Sequence, residues 1–183
     1  CSSATSSRRS GMTDATTSPM NISAEELKRL VDSGEPFALV DTRDAESFEE
    51  WRLAGATQFF YKPDREFDPE AFASETGLTP DDPVVTIYAK GISSGALAEE
   101  LVDAGYEDVR HVHDGMRGWS AVYDAVDVDT DGSAEIVQLQ RRRRGCLGYL
   151  AAPPKTGAAA PVAPPRHVET VREAAADRGF EIE

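Results

Sequence analysis

Residues 84 to 94 read Val-Val-Thr-Ile-Tyr-Ala-Lys-Gly-Ile-Ser-Ser, a largely apolar run that leads through a short glycine-containing loop towards a helix. The run from Val84 to Tyr88 is apolar on both faces, which is typical of a parallel strand buried between two layers. A helix is predicted from about Ser94 to Ala104, because its apolar positions share one face and Gly105 follows as a cap. This stretch therefore predicts one strand–loop–helix unit of an α/β sheet.

The same alternation of strand and helix extends to both sides of this unit. Ser23 and Glu26 form a capping box that opens a helix, and Gly34 ends that helix. Further elements are predicted as strands at Phe37–Asp41 and Val109–Val112, a short helix at Glu46–Trp51 and a final helix at Met116–Val126. Strands that alternate with helices at this spacing predict an α/β fold, a parallel sheet with helices on both faces.

The composition predicts a globular protein and excludes two kinds of partner. The chain has 183 residues, 40% of them hydrophobic and 8% aromatic, with 33 acidic and 19 basic residues and a net charge of −14. No apolar run reaches the roughly 18 residues that a bilayer span needs, so we expect no membrane partner. An acidic surface repels phosphates, so we expect no nucleic-acid partner either.

Cysteine and lysine usage predict the setting of the protein. Cys1 and Cys146 are too few and too far apart for a disulfide framework, which favours a reducing, cytoplasmic location. Residues 1–21 lack the apolar centre of a signal peptide. The bases comprise 15 arginines and four lysines. This bias is interpreted either as halophilic, since carboxylates keep a folded protein hydrated in strong salt, or as an acidic protein encoded by GC-rich DNA.

Charge divides the chain into three segments. Residues 1–21 are rich in serine and threonine, have little to bury and are predicted to be disordered. Residues 22–128 carry 24 acids and nine bases, whereas residues 129–183 carry eight of each. We therefore predict one main domain at 22–128 and a separate tail at 129–183.

The tail has a weaker pattern than the main domain. Ile136–Gln140 predicts a strand, and Cys146–Leu150 predicts its hairpin partner across the arginine run 141–144. Residues 151–165 contain five prolines, which cannot donate to a strand ladder, so no order is expected there. A helix is predicted at Val168–Asp177. The tail is therefore predicted to hold a partial β-hairpin and one helix.

The loop after the strand at 84–88 is the first candidate functional site, because ligands of parallel sheets bind beyond the carboxyl ends of the strands. A glycine-containing loop before a helix can direct backbone N–H groups and the helix dipole at one anion. A cysteine at the first loop position would be stabilised there as a thiolate or persulfide. This chain has Tyr88 at that position. The predicted anion-binding residues, with the two serines as hydroxyl donors, are Ala89, Lys90, Gly91, Ile92, Ser93 and Ser94.

Four pieces of the main domain, taken in order, resemble one known family. They are Asp41-Thr42-Arg43 with Glu46 and Phe48, Leu53-Ala54-Gly55-Ala56, the loop 88–94, and Gly115-Met116-Arg117-Gly118-Trp119. On these pieces, residues 22–126 resemble a rhodanese domain. The resemblance implies a rhodanese-like fold with a parallel sheet. It also implies an activity: transfer of sulfane sulfur from a donor such as thiosulfate to a thiophilic acceptor, through a cysteine persulfide. We expect no cofactor, and a small sulfur-containing anion or persulfide carrier as partner.

Two positions depart from the family pattern. The catalytic position that the family gives to cysteine holds Tyr88, and the histidine often found before the Leu-x-Gly-Ala element is replaced by Arg52. A phenol with a pKa of about 10 cannot carry sulfur, so the resemblance implies sulfur transfer impaired at Tyr88. Three interpretations stay open: a sulfurtransferase, a non-catalytic module that binds an anion or a protein through this loop, and a fragment with no role of its own.

Other singled-out residues also have structural interpretations. Tyr88 fits a tyrosine that ends a core strand with its hydroxyl at the surface. Asp41 and Arg43 are supporting residues, either as a hydrogen-bonded pair beneath the loop or with a direct role towards substrate. His111 and His113 alternate on a strand and are interpreted as scaffold, because no cysteine or carboxylate lies at metal-ligand spacing. No metal site is predicted.

The tail resembles a second family. Ile136–Gln140, Gly145–Leu150 and the step Pro165-Arg166 before a helix resemble the opening of a metallo-beta-lactamase-fold hydrolase. The most similar branch is the persulfide dioxygenase and glyoxalase-like branch, which occurs fused to rhodanese domains. That branch implies a His-x-His-x-Asp-His metal motif beyond this helix, and the sequence ends at Glu183 before it. The resemblance therefore implies an incomplete amino-terminal part of such a domain at 129–183, with a metallo-hydrolase partner in a longer parent chain.

Overall fold

The computed structural model describes residues 18–142, 145–154 and 156–182, which form two five-stranded sheets. The strands of the first sheet are Met20–Ile22 (β1), Ala38–Asp41 (β2), Ala56–Gln58 (β3), Val84–Ile87 (β4) and Val109–Val112 (β5). The helices around it are Ala24–Ser33 (α1), Ala45–Glu50 (α2), Pro69–Thr76 (α3), Ile92–Asp103 (α4) and Gly115–Trp119 (α5). This sheet is wholly parallel, with strand order β1-β5-β4-β2-β3.

Helices cover both faces of the first sheet. One face contacts α1 and α5 in a core that includes Leu27 and Trp119. The opposite face contacts α3 and α4 in a core that includes Phe72 and Leu101. Successive residues of β4 enter opposite cores, which explains why this strand is apolar throughout. The predicted α/β fold with a parallel sheet is confirmed.

Two predictions for the ends of the main domain are wrong. Residues 1–17 of the segment expected to be disordered lie outside the described residues, but Met20–Ile22 pairs with β5 as a strand of the sheet. The helix predicted at Met116–Val126 ends at Trp119, and Tyr123–Val128 (β6) is a strand. Its valines are β-branched, which disfavours helix, and the whole segment pairs with a neighbouring strand.

The second sheet follows directly. Its remaining strands are Glu135–Arg141 (β7), Leu147–Ala152 (β8), Ala158–Val162 (β9) and Glu181–Ile182 (β10), and its helix is Val168–Ala176 (α6). The strand order is β10-β9-β8-β7-β6, antiparallel except between β9 and β10. One face of the sheet buries Val137, Leu139 and Leu150 against Val171 and Ala175 of α6. The sheet therefore has its own apolar core.

The tail holds more structure than a hairpin and a helix. The predicted hairpin is confirmed as β7 and β8. The expectation of no order at 151–165 is wrong, because Ala158–Val162 forms β9. Pro161 is accommodated because β10 pairs only with Ala158 and Ala159, which leaves that edge of β9 open beyond them. The change of sheet occurs at Tyr123, upstream of the predicted boundary at 128–129.

None of the helices in residues 18–142, 145–154 and 156–182 is both long and apolar enough to cross a membrane.

Four charged side chains join helix α1 of the first domain to the second sheet at the surface. Arg142, after β7, contacts Asp32 of α1 at 2.6 Å and Asp124 of β6 at 2.8 Å. Lys28 contacts the same two carboxylates, at 2.6 and 3.4 Å. The Arg142 guanidinium also lies 5.7 Å from the ring centre of Trp119, in the first core.

We expect Arg142→Gln to lower the free energy of unfolding by about 1–3 kcal/mol at pH 7, because it leaves the half-buried Asp124 carboxylate without its arginine. The hydrogen bonds from Arg142 hold the pKa of Asp124 below its ordinary value. This stabilisation is therefore present above the unfolded-state pKa of about 4 and is lost as the pH falls through the folded-state value. Urea denaturation at pH 7 and pH 3 should show the difference between the two proteins shrinking at pH 3.

Arg172→Gln is the matched control for this prediction. Arg172 pairs with Glu169 at 3.4 Å, and both side chains are largely exposed. An exposed pair of this kind contributes little, so we expect a change of at most about 0.5 kcal/mol. Equal losses in the two variants, or a difference that does not depend on pH, would contradict the role given to Arg142.

Candidate functional site

The predicted loop lies between β4 and α4, at the carboxyl edge of the first sheet. Gly91 precedes the helix in the left-handed conformation, with φ of 84°. Helix α4 begins at Ile92, so the last three loop residues of the prediction form its first turn. The Ile92 side chain is 72% exposed and cannot line an enclosed site. Lys90 is exposed, whereas Ser93 and Ser94 are buried.

Backbone amides of α5 bind the carbonyls at the start of the loop. Met116 N donates to Tyr88 O at 2.8 Å, and Arg117 N donates to Ala89 O at 3.1 Å. The sequence pattern includes these residues only as part of a family signature. Their function here is to fix the direction of two loop carbonyls.

The Gly91 carbonyl is also bonded within the protein. It accepts from Gly95 N and from Ser94 Oγ, each at 3.0 Å. The Ser94 hydroxyl is thus used by the loop itself, and its role as a donor to a ligand stays a prediction. The Ser93 hydroxyl has no hydrogen-bond partner among the described residues, so it is the serine that can serve a ligand.

The loop amides contrast with its carbonyls. No backbone N–H from Ala89 to Ser94 donates to an acceptor in the described parts of the chain. Those of the first turn of α4 also lie at the positive end of the helix dipole. Amides without acceptors beside carbonyls that already have donors favour an anion over a cation.

Two glycines allow the close approach of backbone that holds the loop. A Cβ atom on Gly91 would lie 2.1 Å from the His113 carbonyl oxygen. A Cβ atom on Gly115, where φ is 55°, would lie 2.1 Å from the Tyr88 carbonyl oxygen. Both positions therefore need glycine for space as well as for backbone conformation. The loop is held against the segment that follows β5.

Tyr88 is the first residue of the loop. Its side chain is half-buried, and its hydroxyl has no hydrogen-bond partner in the part of the chain that the structure describes. The exposed Cys146 lies in the turn before β8, outside the loop. The loop itself contains no thiol.

Asp41 and Arg43 form a buried ion pair. Arg43 Nη2 and Nε donate to the Asp41 carboxylate at 2.6 and 2.9 Å, and the two residues are 8% and 0% exposed respectively. Arg43 Nη2 also donates to the Trp51 carbonyl at 2.6 Å, which ties the end of β2 to the end of α2. Of the two interpretations, these contacts support the hydrogen-bonded pair. Between them in sequence, Thr42 N donates to Ile87 O at 2.9 Å, just before the loop.

The two histidines on and after β5 have different surroundings. His111 packs against α4, and its buried Nδ1 has no hydrogen-bond partner. Burial, with a smaller contribution from His113, lowers the pKa of His111. His113 is exposed and places its carbonyl against Gly91. In residues 18–142, 145–154 and 156–182, no three histidine, cysteine or carboxylate side chains are grouped so as to hold a metal ion.

Solved structures similar to this one include rhodanese-like proteins. A rhodanese-like domain protein from Staphylococcus aureus has a TM-score of 0.46 and 22% identity, covering 55% of this chain and 90% of that one. The human single-domain sulfurtransferase TSTD1 has a TM-score of 0.45 and 21% identity, and the match covers 56% of this chain and 96% of TSTD1.

Sequence comparisons identify the family. The thiosulfate sulfurtransferase GlpE of Actinobacillus succinogenes is 37% identical over 82 residues, which are 44% of this chain and 67% of that protein. GlpE of Coxiella burnetii is 28% identical over 91 residues, which are 50% of this chain and 78% of that protein. The family model of the rhodanese-like domain matches residues 23–122. Because this match covers more than half of the 183 residues, the chain belongs to the rhodanese-like domain family.

Proposed function

We propose that the rhodanese-like domain binds a small sulfur-containing anion of the thiosulfate class at residues 88–94 without transferring its sulfur. One observation carries the proposal: the amides of residues 89–94 lack acceptors, while the carbonyls of Tyr88, Ala89 and Gly91 have donors within the protein. The thiosulfate sulfurtransferases among its relatives support this class of anion.

The chemistry of the first loop residue separates binding from transfer. To take sulfane sulfur from thiosulfate, a thiolate attacks the outer sulfur, the S–S bond breaks and sulfite leaves. Tyr88 offers a phenol oxygen at this position in place of a thiol. A phenol has no sulfur atom, so it cannot form a persulfide. The loop therefore retains an anion site but lacks the group that would accept sulfur.

The assignment of the tail to the start of a metallo-beta-lactamase-fold hydrolase stays a prediction, as do the cytoplasmic location and the halophilic setting. In that assignment, the rhodanese-like domain would present its bound anion to a hydrolase domain in a longer parent protein. The anion site at residues 88–94 does not depend on that partner.

Titration of the ¹⁵N-labelled chain with sodium thiosulfate in low salt tests the proposal. We expect saturable amide shifts concentrated at residues 89–94, and about fivefold weaker binding for Lys90→Ala, because one cation near the loop is lost. Lys62→Ala is the control, since Lys62 lies over the ring of Phe60 and should leave the affinity unchanged within about twofold. Shifts scattered over the surface, or equal weakening by both variants, would overturn the proposal.

A further inference from the structure

A cavity of about 580 Å³ lies between the rhodanese-like domain and the second sheet, next to the loop. We name it the interdomain cleft. Lys90 and Arg117 line it from the rhodanese-like domain, and Arg141, Arg166 and His167 line it from the second sheet and the segment before α6. Five basic side chains therefore meet in one concavity of a chain whose net charge is −14.

The cleft is lined by the arginines and the lysine that, within the described residues, have neither a carboxylate nor an aromatic ring as partner. In the described residues, every arginine and lysine outside the cleft either pairs with a carboxylate or lies over an aromatic ring. The paired ones are Lys28, Arg29, Arg43, Arg110, Arg142, Arg172 and Arg178, and those over rings are Arg52, Lys62 and Arg65. Lys90, Arg117, Arg141 and Arg166 do neither within the described residues.

This distribution concentrates positive potential in the cleft and so favours the entry of an anion. Like charges in one concavity repel one another, and concave walls focus their field on the space between them. Asp114 is the only carboxylate residue among the cleft-lining residues described, and its Oδ1 accepts from Ala24 N at 3.0 Å. Arg141 uses its Nε to hold the Ser120 carbonyl, so it is anchored in place. The guanidiniums of Arg117 and Arg166 make no such bond within residues 18–142, 145–154 and 156–182.

His167 adds a polar group to the same wall. Its Nδ1 lies 3.2 Å from the Tyr123 hydroxyl. Burial, followed by the charges of Arg141 and Arg166, lowers the pKa of His167. The lowered pKa disfavours the charged imidazole, so the positive charge assigned to the cleft is that of the arginines and Lys90.

We propose that the interdomain cleft binds a small organic molecule with two or more anionic groups, gripped by Arg117 on one wall and Arg166 on the other. A guanidinium offers paired N–H donors that match a carboxylate or a phosphate. Cations contributed by two parts of the fold match a ligand with more than one anionic group. The cavity volume is that of a small-molecule site and exceeds what a single inorganic anion would fill.

Isothermal titration calorimetry with citrate and with pyrophosphate tests this site in low salt. We expect saturable one-to-one binding of at least one probe, and the stronger of the two identifies carboxylate or phosphate as the recognised group. The double variant Arg117→Gln/Arg166→Gln should weaken binding by about tenfold or more. Arg117→Lys/Arg166→Lys keeps the charge but loses the paired donors, and it should weaken binding by about threefold to fivefold.

A matched control separates the cleft from the general charge of the chain. Arg52→Gln/Arg172→Gln removes the same charge from positions outside the cleft, and we expect it to change binding by less than about twofold. An equal loss in the control variant, or no saturable binding of either probe, would overturn the inference.

The cleft and the loop can fail independently. The inference uses neither the loop amides nor Tyr88. Lys90 lines the cleft and also lies in the proposed thiosulfate site, so the cleft variants leave Lys90 unchanged and replace only Arg117 and Arg166. Thiosulfate titration of Arg117→Gln/Arg166→Gln should still shift the amides of residues 89–94. If thiosulfate shifts nothing in the wild-type chain while citrate or pyrophosphate binds, the proposed function fails and the cleft stands. If thiosulfate shifts the loop amides while neither citrate nor pyrophosphate binds, the inference about the cleft fails and the proposed function stands.

Discussion

Tyr88→Cys is expected to turn a chain with no thiosulfate-to-cyanide sulfur transfer above background into an active sulfurtransferase. The gain should reach at least about two orders of magnitude over the wild-type rate, because the substitution supplies the missing nucleophile. Amides without acceptors at residues 89–94 would lower the pKa of the new thiol and stabilise its thiolate. Steady-state thiocyanate formation measures the rate, and the pH dependence of thiol alkylation measures the pKa.

The natural cysteines must be removed for this experiment to be decisive. In a Cys1→Ser/Cys146→Ser background the introduced thiol is the only one in the chain. Tyr88→Ser in the same background is the matched control, since it shortens the side chain without supplying sulfur, and it should stay inactive. Transfer by the cysteine-free chain with Tyr88 intact would show that another group is the nucleophile. A Tyr88→Cys thiol with an ordinary pKa and no activity would show that the loop does not stabilise anions.

Gly91→Ala should lower the free energy of unfolding by about 3 kcal/mol or more and abolish thiosulfate binding. The left-handed backbone alone costs a non-glycine residue about 1–2 kcal/mol. The added Cβ atom would also meet the His113 carbonyl oxygen at 2.1 Å, so the loop or β5 must move. Urea denaturation gives the stability, and the thiosulfate titration gives the binding.

Gly34→Ala isolates the first of these causes, so its comparison with Gly91→Ala gives the contribution of the second. Gly34 has φ of 72°, similar to the 84° of Gly91, but a Cβ atom there meets nothing within 4 Å. This control should cost about 1 kcal/mol and leave thiosulfate binding intact. If the two alanine variants were equally stable, backbone conformation would account for the whole effect, and the close contact with His113 would not matter.

The main domain could be predicted from its sequence because local signals agree with the fold. A strand apolar on both faces at 84–88 and a capping box at Ser23 each identify their element without reference to the rest of the chain. β6 and β9 could not be predicted in this way. Tyr123–Val128 follows a short helix without a turn signal, and Ala158–Val162 is an alanine and proline segment. Pairing with β7 and β8 makes them strands, and pairing is not visible in a local pattern.

Part of the candidate site could likewise be predicted from the sequence, and part of it depends on the folded topology. The loop could be located because it follows the end of a buried strand, and Tyr88 could be recognised as its first residue. The amides that hold the loop carbonyls come from α5, more distant in sequence, so their contacts depend on the folded topology. The cations of the interdomain cleft come from four separate segments of the chain. Which cations lack partners is a property of the assembled surface, and composition alone gives only their number.

Within the described residues, helix α5 and the residue that caps it touch the loop, the cleft and the second sheet. Its amides hold the loop carbonyls, Arg117 lines the cleft, and the Ser120 carbonyl at its end accepts from Arg141 of β7. A shift of the second sheet against this helix would therefore change the geometry of the loop. Thermodynamic linkage makes the effect reciprocal: if docking of the second sheet raises the affinity of the loop for its anion, the bound anion strengthens that docking by the same factor.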